Sequence, residues 1–259
     1  MIIRKSASEI TRIASSGTLV ARTIAHVGER IEPGITTLEL DRIADDFIRE
    51  NGGVPTSLGY RGYPRAICIS VNEVVVHGIP DERVIEEGDL VTIDVGVTLD
   101  GAIADSAYTF GVGTVEAESQ RLLDVCQDAL AAGIGQARPG NRLSDISHAV
   151  QVVVEAAGFS VVRSLVGHGV GRHYHEDPQI PNYGPPGRGP LLQEGMTLAI
   201  EPMITAGRPE VYVHDDDWSI SSVDESLAAH FEHTVAVAED GPPRILTAVK
   251  SREKAGLVP

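Results

Sequence analysis

Residues 90–110, LVTIDVGVTLDGAIADSAYTF, carry the pattern that decides the fold. Two β-rich runs flank Asp100-Gly101, a dipeptide typical of a two-residue hairpin turn. Direct or diagonal pairing of Asp94 with Asp105 leaves both carboxylates on one face, whereas a slip of one residue separates them. Because neighbouring carboxylates repel each other, and burial adds to that cost, we expect a cation between them.

Two further acids lie in apolar runs that contain no lysine or arginine. Glu201 belongs to LAIEPMI and Glu232 to HFEHTVAV. Together with His168 of GHGVG, the chain offers four carboxylates and one imidazole, a set suited to two divalent cations. Oxygen-rich ligands favour Mn, Fe(II) or Co, and Zn is also compatible. The alternative for any single acid is a solvent-facing residue or an ordinary salt bridge.

Two histidines are candidates for a role beside this cluster. His77 ends the apolar run VVVHGIP, where a strand delivers a side chain to a loop, and His175 follows His168 within GHGVGRHYHEDP. Neutral imidazoles suit the transfer of protons and the stabilisation of an oxyanion. A lone histidine is more often a surface or core residue, and the sequence leaves the roles of three others open: His173, His230 and His233.

The chain contains an apparent internal duplication. Apolar spacing predicts one helix over residues 10–27, and a Thr36-Glu39 capping box opens the next. A second helix pair follows at an almost constant offset, with Pro33 matching Pro139 and Gly52 matching Gly158. This predicts an α+β fold of two α-α-β half-domains, related by a pseudo-two-fold around a curved antiparallel sheet. We expect a single domain over residues 1–259, with halves of about 1–113 and 114–250. The alternative explanation of the apparent duplication is chance similarity between amphipathic helices.

Composition restricts the functional classes. The net charge of -16 disfavours binding to nucleic acid or to an anionic membrane surface. The sequence has neither an apolar run long enough to span a membrane nor the apolar core of a signal peptide near its start, so we expect a cytoplasmic protein. Cys68 and Cys126 lie in apolar contexts and are expected to be reduced and buried.

Five segments together resemble the type I methionine aminopeptidases of the short bacterial form. They are SVNEVVVHGIP (70–80), IDVGVTLDGAIADSAYTF (93–110), GHGVGRHYHEDPQIPNYGPPGRGP (167–190), AIEPM (199–203) and FEHTV (231–235). The resemblance implies the pita-bread fold of the creatinase/aminopeptidase superfamily. Proline-specific aminopeptidases and prolidases share the ordered acids and histidine, so a proline-directed peptidase is the rival enzyme. The methionine-specific interpretation depends on the HGIP context of His77, on Trp218 and on the absence of an extra N-terminal domain.

The resemblance also implies roles for individual residues. The ligands of two metal ions would be Asp94, Asp105, His168, Glu201 and Glu232, with Asp105 and Glu232 bridging. His77 and His175 would be catalytic imidazoles that contact substrate, and Glu201 would shuttle protons. The methionine side chain would lie among Tyr60, Tyr63, Cys68, Tyr174 and Trp218. The implied reaction is removal of the N-terminal methionine before a small second residue, by attack of a hydroxide that bridges the two metal ions.

The chain departs from the family's pattern at four positions. Val76 and Ser57 stand where many relatives carry Cys, His230 replaces a common Gln, and Tyr174 replaces a frequent Phe. These changes affect expected selectivity more than expected chemistry. The expected partners are nascent polypeptide N-termini and, transiently, the ribosome, and the expected state is a monomer. A catalytically silent binding protein is the rival of another class; its usual mark is a missing ligand, and here all five are present.

Overall fold

A computed structural model describes residues 1–248. Within these residues, four α-helices form the outer layers of the fold. Their bounds are α1 Ala7–Gly28, α2 Thr37–Glu50, α3 Ala117–Gln136 and α4 Leu143–Ala156. The predicted capping box opens α2: the Thr36 hydroxyl accepts from the Glu39 amide at 3.1 Å, and the Glu39 carboxylate accepts from the Thr36 amide at 2.9 Å. A single 3-10 turn, Tyr60–Gly62, follows α2. Among the described residues, no helix combines the length and apolar character needed to cross a membrane.

The β-strands are short except for one central hairpin. The first half contains β1 Val54–Pro55, β2 Cys68–Val71, β3 Val74–Val76, β4 Leu90–Leu99 and β5 Ala102–Gly111. The second half contains β6 Ser160–Val161, β7 Val166–Gly169, β8 Glu176–Pro181, β9 Thr197–Ile200, β10 Met203–Thr205, β11 Val211–Val213, β12 Ile220–Ser222, β13 Ala228–His230, β14 His233–Ala236 and β15 Arg244–Ile245. Their pairings are antiparallel, as the sequence predicts.

The β4–β5 hairpin has the diagonal register that was one of the two predicted. Asp94 pairs with Ala107 and Gly96 pairs with Asp105, so the two aspartates lie on the same face. Positive φ angles of 50° at Asp100 and 72° at Gly101 form the tight turn, a conformation that an Asp-Gly pair adopts at low cost. The turn chemistry therefore fixes the register that brings the carboxylates together.

The two largest sheets meet at β5 and β14, where the halves of the chain join. The Asp105 amide donates to the Thr234 hydroxyl at 3.0 Å, and the Glu232 amide donates to the Ala107 carbonyl at 2.9 Å. One apolar core lies beneath α1 and α2, and a second lies beneath α3 and α4. The predicted fold class is confirmed, although hydrogen bonding divides the strands of residues 1–248 into four sheets rather than one continuous sheet.

Local features recur in both halves. Gly52 and Gly158 each follow the second helix of a pair, with φ angles of 79° and 81°. The isolated bridge between Thr36 and Val84 has a counterpart between Arg142 and Leu191. We infer a single domain built of two related halves; residues 249–259 of the expected domain lie outside the described residues.

Candidate metal centre

A cavity of about 840 Å³ opens between the two halves and is lined by side chains from both. Every residue for which the sequence predicted a site role lies on its wall: Tyr60, Tyr63, Cys68, His77, Asp94, Asp105, His168, Tyr174, His175, Glu201, Trp218 and Glu232. The cavity thus collects residues from distant parts of the chain. Asp94 lies in β4 of the first half, and Glu201 directly follows β9 of the second.

The acids and His168 converge at the floor of this cavity. One ligand atom each from Asp105, His168 and Glu232 lie within 4.8 Å of one another, and all three residues are buried. His168 Nε2 is 3.4 Å from Glu201 Oε1 and 3.9 Å from Asp105 Oδ2. The β4–β5 register places Asp94 on the same face as Asp105. This geometry brings carboxylates within the range at which they can share cations.

Several buried oxygens of this cluster have no hydrogen-bond partner among residues 1–248: Asp94 Oδ1, Asp105 Oδ1 and Glu232 Oε1. Burial, and then repulsion from Asp94 and Glu201, raise the pKa of Asp105 well above its ordinary value. Burial likewise raises the pKa of Glu232. Unpaired buried carboxylates are costly, so the donor set fits a cationic group that would satisfy these oxygens. The cluster indicates a site for divalent metal.

The orientation of His168 is set by its own backbone. Its Nδ1 lies 2.9 Å from the carbonyl oxygen of Gly169, which favours the tautomer protonated at Nδ1. Nε2 then presents a lone pair towards Glu201 and Asp105. A fixed tautomer with a free nitrogen facing carboxylates is the usual arrangement of a metal-ligating histidine.

His77 and His175 lie on the cavity wall beside the acids. Burial, and then the neighbouring His230, lower the pKa of His77 to about 4. Burial, and then His168, lower the pKa of His175 to about 3. His175 Nδ1 is 2.9 Å from the Tyr60 hydroxyl, so its ring has a fixed partner. Both imidazoles are therefore neutral at pH 7.

An apolar and aromatic pocket adjoins the acids. The rings of Tyr63 and Trp218 meet edge to face with centroids 5.0 Å apart, and those of Tyr60 and Tyr174 with centroids 5.2 Å apart. The Tyr63 hydroxyl donates to the Gly78 carbonyl at 2.8 Å, so its polar end has a partner within the protein. Cys68 is a free, buried thiol, as predicted. Such a lining suits a flexible thioether side chain.

The three histidines that the sequence left open have different environments. His230 lines the cavity, whereas His173 is exposed and His233 Nδ1 lies 2.9 Å from the Thr247 hydroxyl, away from the cavity wall. Sequence reasoning missed Glu176 on the cavity wall, although it directly follows His175. It also missed Arg61 and Asp217 at the same wall, because isolated charges in loops carry no pattern.

The chain is similar to known metallopeptidases in sequence and in fold. Residues 11–239 match the model of metallopeptidase family M24. The chain is 49% identical to methionine aminopeptidase 1 of Bacillus subtilis, covering 93% of this chain and 97% of that protein. The crystal structure of methionine aminopeptidase from Rickettsia prowazekii superposes with a TM-score of 0.94 at 39% identity, covering 96% of this chain and all (100%) of that one.

A more distantly related structure, a prolidase, shares the fold of this chain at much lower sequence identity. Prolidase from Pyrococcus furiosus superposes with a TM-score of 0.76 at 22% identity, over 96% of this chain and 66% of that one, which shows a shared fold alone. The higher identity and full coverage of the methionine aminopeptidases favour that branch over the proline-directed one. The chain therefore belongs to metallopeptidase family M24 and, within it, to the methionine aminopeptidases.

Proposed function

We propose that this chain removes the N-terminal methionine from nascent polypeptides when a small residue follows it. The observation that carries the proposal is that a buried acid-and-imidazole cluster and an aromatic pocket share one cavity. A substrate whose first side chain fills the pocket would have its first peptide bond beside the cluster. This arrangement suits hydrolysis at a chain terminus.

In this proposal, two divalent ions would be held by Asp94, Asp105, His168, Glu201 and Glu232. Mn, Fe(II) and Co suit the oxygen-rich set, and Zn is compatible with it. When bound, such ions polarise a carbonyl and activate water for attack. The orphaned oxygens of Asp94, Asp105 and Glu232 support this assignment, because they have no other partner among the described residues.

Glu201 is the proposed proton carrier. Burial raises the pKa of its carboxyl to about 7, although His168 opposes the shift. A carboxylate beside the attacking water can take its proton and deliver it to the leaving nitrogen. The Asn182 side-chain amide donates to the Glu201 backbone carbonyl at 2.8 Å and so helps to fix the residue in place.

His77 and His175 are the proposed donors to the substrate carbonyl. Because both rings are neutral at pH 7, each carries one N–H that can stabilise the negative charge that develops on the carbonyl oxygen. Tyr60, Tyr63, Cys68, Tyr174 and Trp218 would enclose the methionine side chain. We further propose that the protein acts as a monomer in the cytoplasm and contacts the ribosome transiently, since its substrates emerge there.

Peptide assays test this function directly. The protein is freed of metal, supplied with Mn(II) or Co(II), and offered Met-Ala-Ser and Xaa-Pro peptides side by side. We expect release of methionine from Met-Ala-Ser and no turnover of the Xaa-Pro peptides. Glu201→Gln removes the proton carrier and should abolish turnover. Preferential cleavage of Xaa-Pro would overturn the proposed specificity, and full activity of Glu201→Gln would refute the role of that residue.

A further inference from the structure

His230, at the end of β13, is a buried histidine with unsatisfied ring atoms. The residue is only 2% exposed, and neither ring nitrogen has a hydrogen-bond partner within residues 1–248. Its side chain lines the cavity that holds the candidate metal ligands. A neutral imidazole carries one donor and one acceptor nitrogen, and leaving both unpaired in a buried site is costly. This cost points to a polar group that the protein atoms do not supply.

The His230 ring lies beside the Glu201 carboxylate, so the missing partner would lie next to the acid cluster. His230 Nε2 lies 3.5 Å from Glu201 Oε2, while His168 Nε2 lies 3.4 Å from Glu201 Oε1. The Glu201 carboxylate therefore has one imidazole on each of its oxygens. His168 approaches Asp105 as well, whereas His230 ends β13, which packs against β4, the strand that carries Asp94.

Rigid backbone holds His230 in this place. The His230 amide donates to the Thr109 hydroxyl at 3.0 Å, and the Thr109 hydroxyl donates to the His230 carbonyl at 2.8 Å. Met203 pairs with His230 across the β10–β13 ladder. Neither ring nitrogen is engaged by another residue among residues 1–248. The ring is preorganised and available as a ligand.

We propose that His230 supplies a second nitrogen ligand to the metal centre, on the side of Asp94. This inference rests on the proposed function, since it concerns the metal centre assigned there. With His230 bound, each side of the centre would contain one imidazole among carboxylates. Imidazole favours ions such as Co(II) and Zn(II) over Mn(II), so the residue would also shift the metal preference of this chain.

Metal titration of His230→Gln tests the proposal, because Gln is the residue that many relatives carry. Calorimetric titration of the metal-free protein with Co(II) and with Mn(II) gives the affinity and number of sites. We expect the weaker Co(II) site to lose affinity by on the order of 10–100-fold, with a smaller loss for Mn(II). X-ray absorption of the Co(II)-loaded protein should count two imidazoles per pair of ions in the wild type and one in the variant.

His233→Gln is the matched control. His233 is a nearby histidine whose Nδ1 faces the Thr247 hydroxyl instead of the cavity, so its replacement should leave both affinities unchanged. His230→Asn serves as a second variant if the Gln protein does not fold. Equal affinities and equal imidazole counts in wild type and His230 variants would overturn this inference alone. A wild type that binds no divalent ion would overturn the proposed metal centre itself.

Discussion

The imidazole of His175 illustrates how a single residue is prepared for its proposed task. Its ring stacks on Tyr60 with centroids 5.2 Å apart and lies 4.2 Å from the ring of His168. Burial among these rings, and then the neighbouring His168, hold the pKa of His175 at about 3. The proton that the ring carries at neutral pH is therefore available as a hydrogen-bond donor, and the ring has no positive charge to repel metal ions.

Removal of this imidazole should affect chemistry more than binding. We expect His175→Ala to lower kcat on Met-Ala-Ser by about 10²–10⁴-fold, the usual contribution of a positioned proton donor. KM should change less, because the aromatic pocket remains. His173→Ala is the control: this histidine is two residues away and exposed, and it is not on the cavity wall. Unchanged kcat in His175→Ala would exclude the residue from the reaction.

At the scale of elements, the loop between β7 and β8 depends on a distant part of the chain. Glu176 lies directly after His175, and its Oε2 is 2.5 Å from the ammonium of Lys5. The side chains of this ion pair are only 1% and 2% exposed. Glu176 Oε1 accepts from the amides of Arg172 and His173 at 2.7 and 2.9 Å. Lys5 thus stabilises the carboxylate that shapes the loop carrying Tyr174 and His175.

Loss of the Lys5 charge should therefore destabilise the fold and disturb the site. Lys5→Met leaves Glu176 buried without its cation, and breaking a buried pair in this way costs about 3–5 kcal/mol. Urea unfolding measures this loss, and kinetics on Met-Ala-Ser should show reduced kcat/KM. Arg172→Ala is the matched control, because it removes an exposed pair with Glu9 from the same loop and should cost about 0–1 kcal/mol. If Lys5→Met and Arg172→Ala lowered the free energy of unfolding by similar amounts, burial would not be the reason why the Lys5–Glu176 pair stabilises the fold.

The contrast between the hairpin and this loop shows which elements a sequence can predict. Strand alternation and the Asp100-Gly101 turn predicted that Asp94 and Asp105 share a face, because both signals are local. The contact between Lys5 and Glu176 joins residues 171 positions apart, and neither neighbourhood contains a pattern that points to the other. Local periodicity therefore predicted the strands that bear ligands but not the ion pair that fixes the loop.

At the scale of the whole molecule, the internal duplication is the sequence feature that relates the most distant parts of the chain. It predicted two α-α-β halves around one curved sheet, and Asp94 and Glu201, one from each half, line the same cavity. The roles of His77, His175 and the aromatic pocket came from resemblance to a family, since spacing alone cannot bring Trp218 towards Tyr63. The division of the strands into four sheets escaped prediction, because it depends on hydrogen bonds between edges that the sequence does not order.

The acid cluster couples metal binding to the stability of the whole molecule and to pH. In the metal-free chain, burial raises the pKa of Asp94 to about 6 and that of Glu201 to about 7, and it also raises the pKa values of Asp105 and Glu232. Because these values exceed those of the unfolded chain, the stability that these carboxyls contribute is fully present below about pH 4. It is lost as pH rises from there through the folded-state pKa values of about 6 for Asp94 and about 7 for Glu201. Divalent ions need the ionised carboxylates, so protons compete with metal at low pH.

The rise in Tm produced by Mn(II) or Co(II) should therefore grow between about pH 5 and about pH 8 and then level off. Thermal unfolding with added metal, and with a chelator instead, gives this difference at each pH. Buried histidines outside the proposed ligands, such as His233, lower stability at acid pH in both forms, so their effect cancels in the difference. The triple variant Asp94→Asn, Asp105→Asn, Glu232→Gln should show almost no metal effect at any pH. A difference that is the same at pH 5 and pH 8 in the wild type would mean that the bound ion does not compete with protons on these carboxylates.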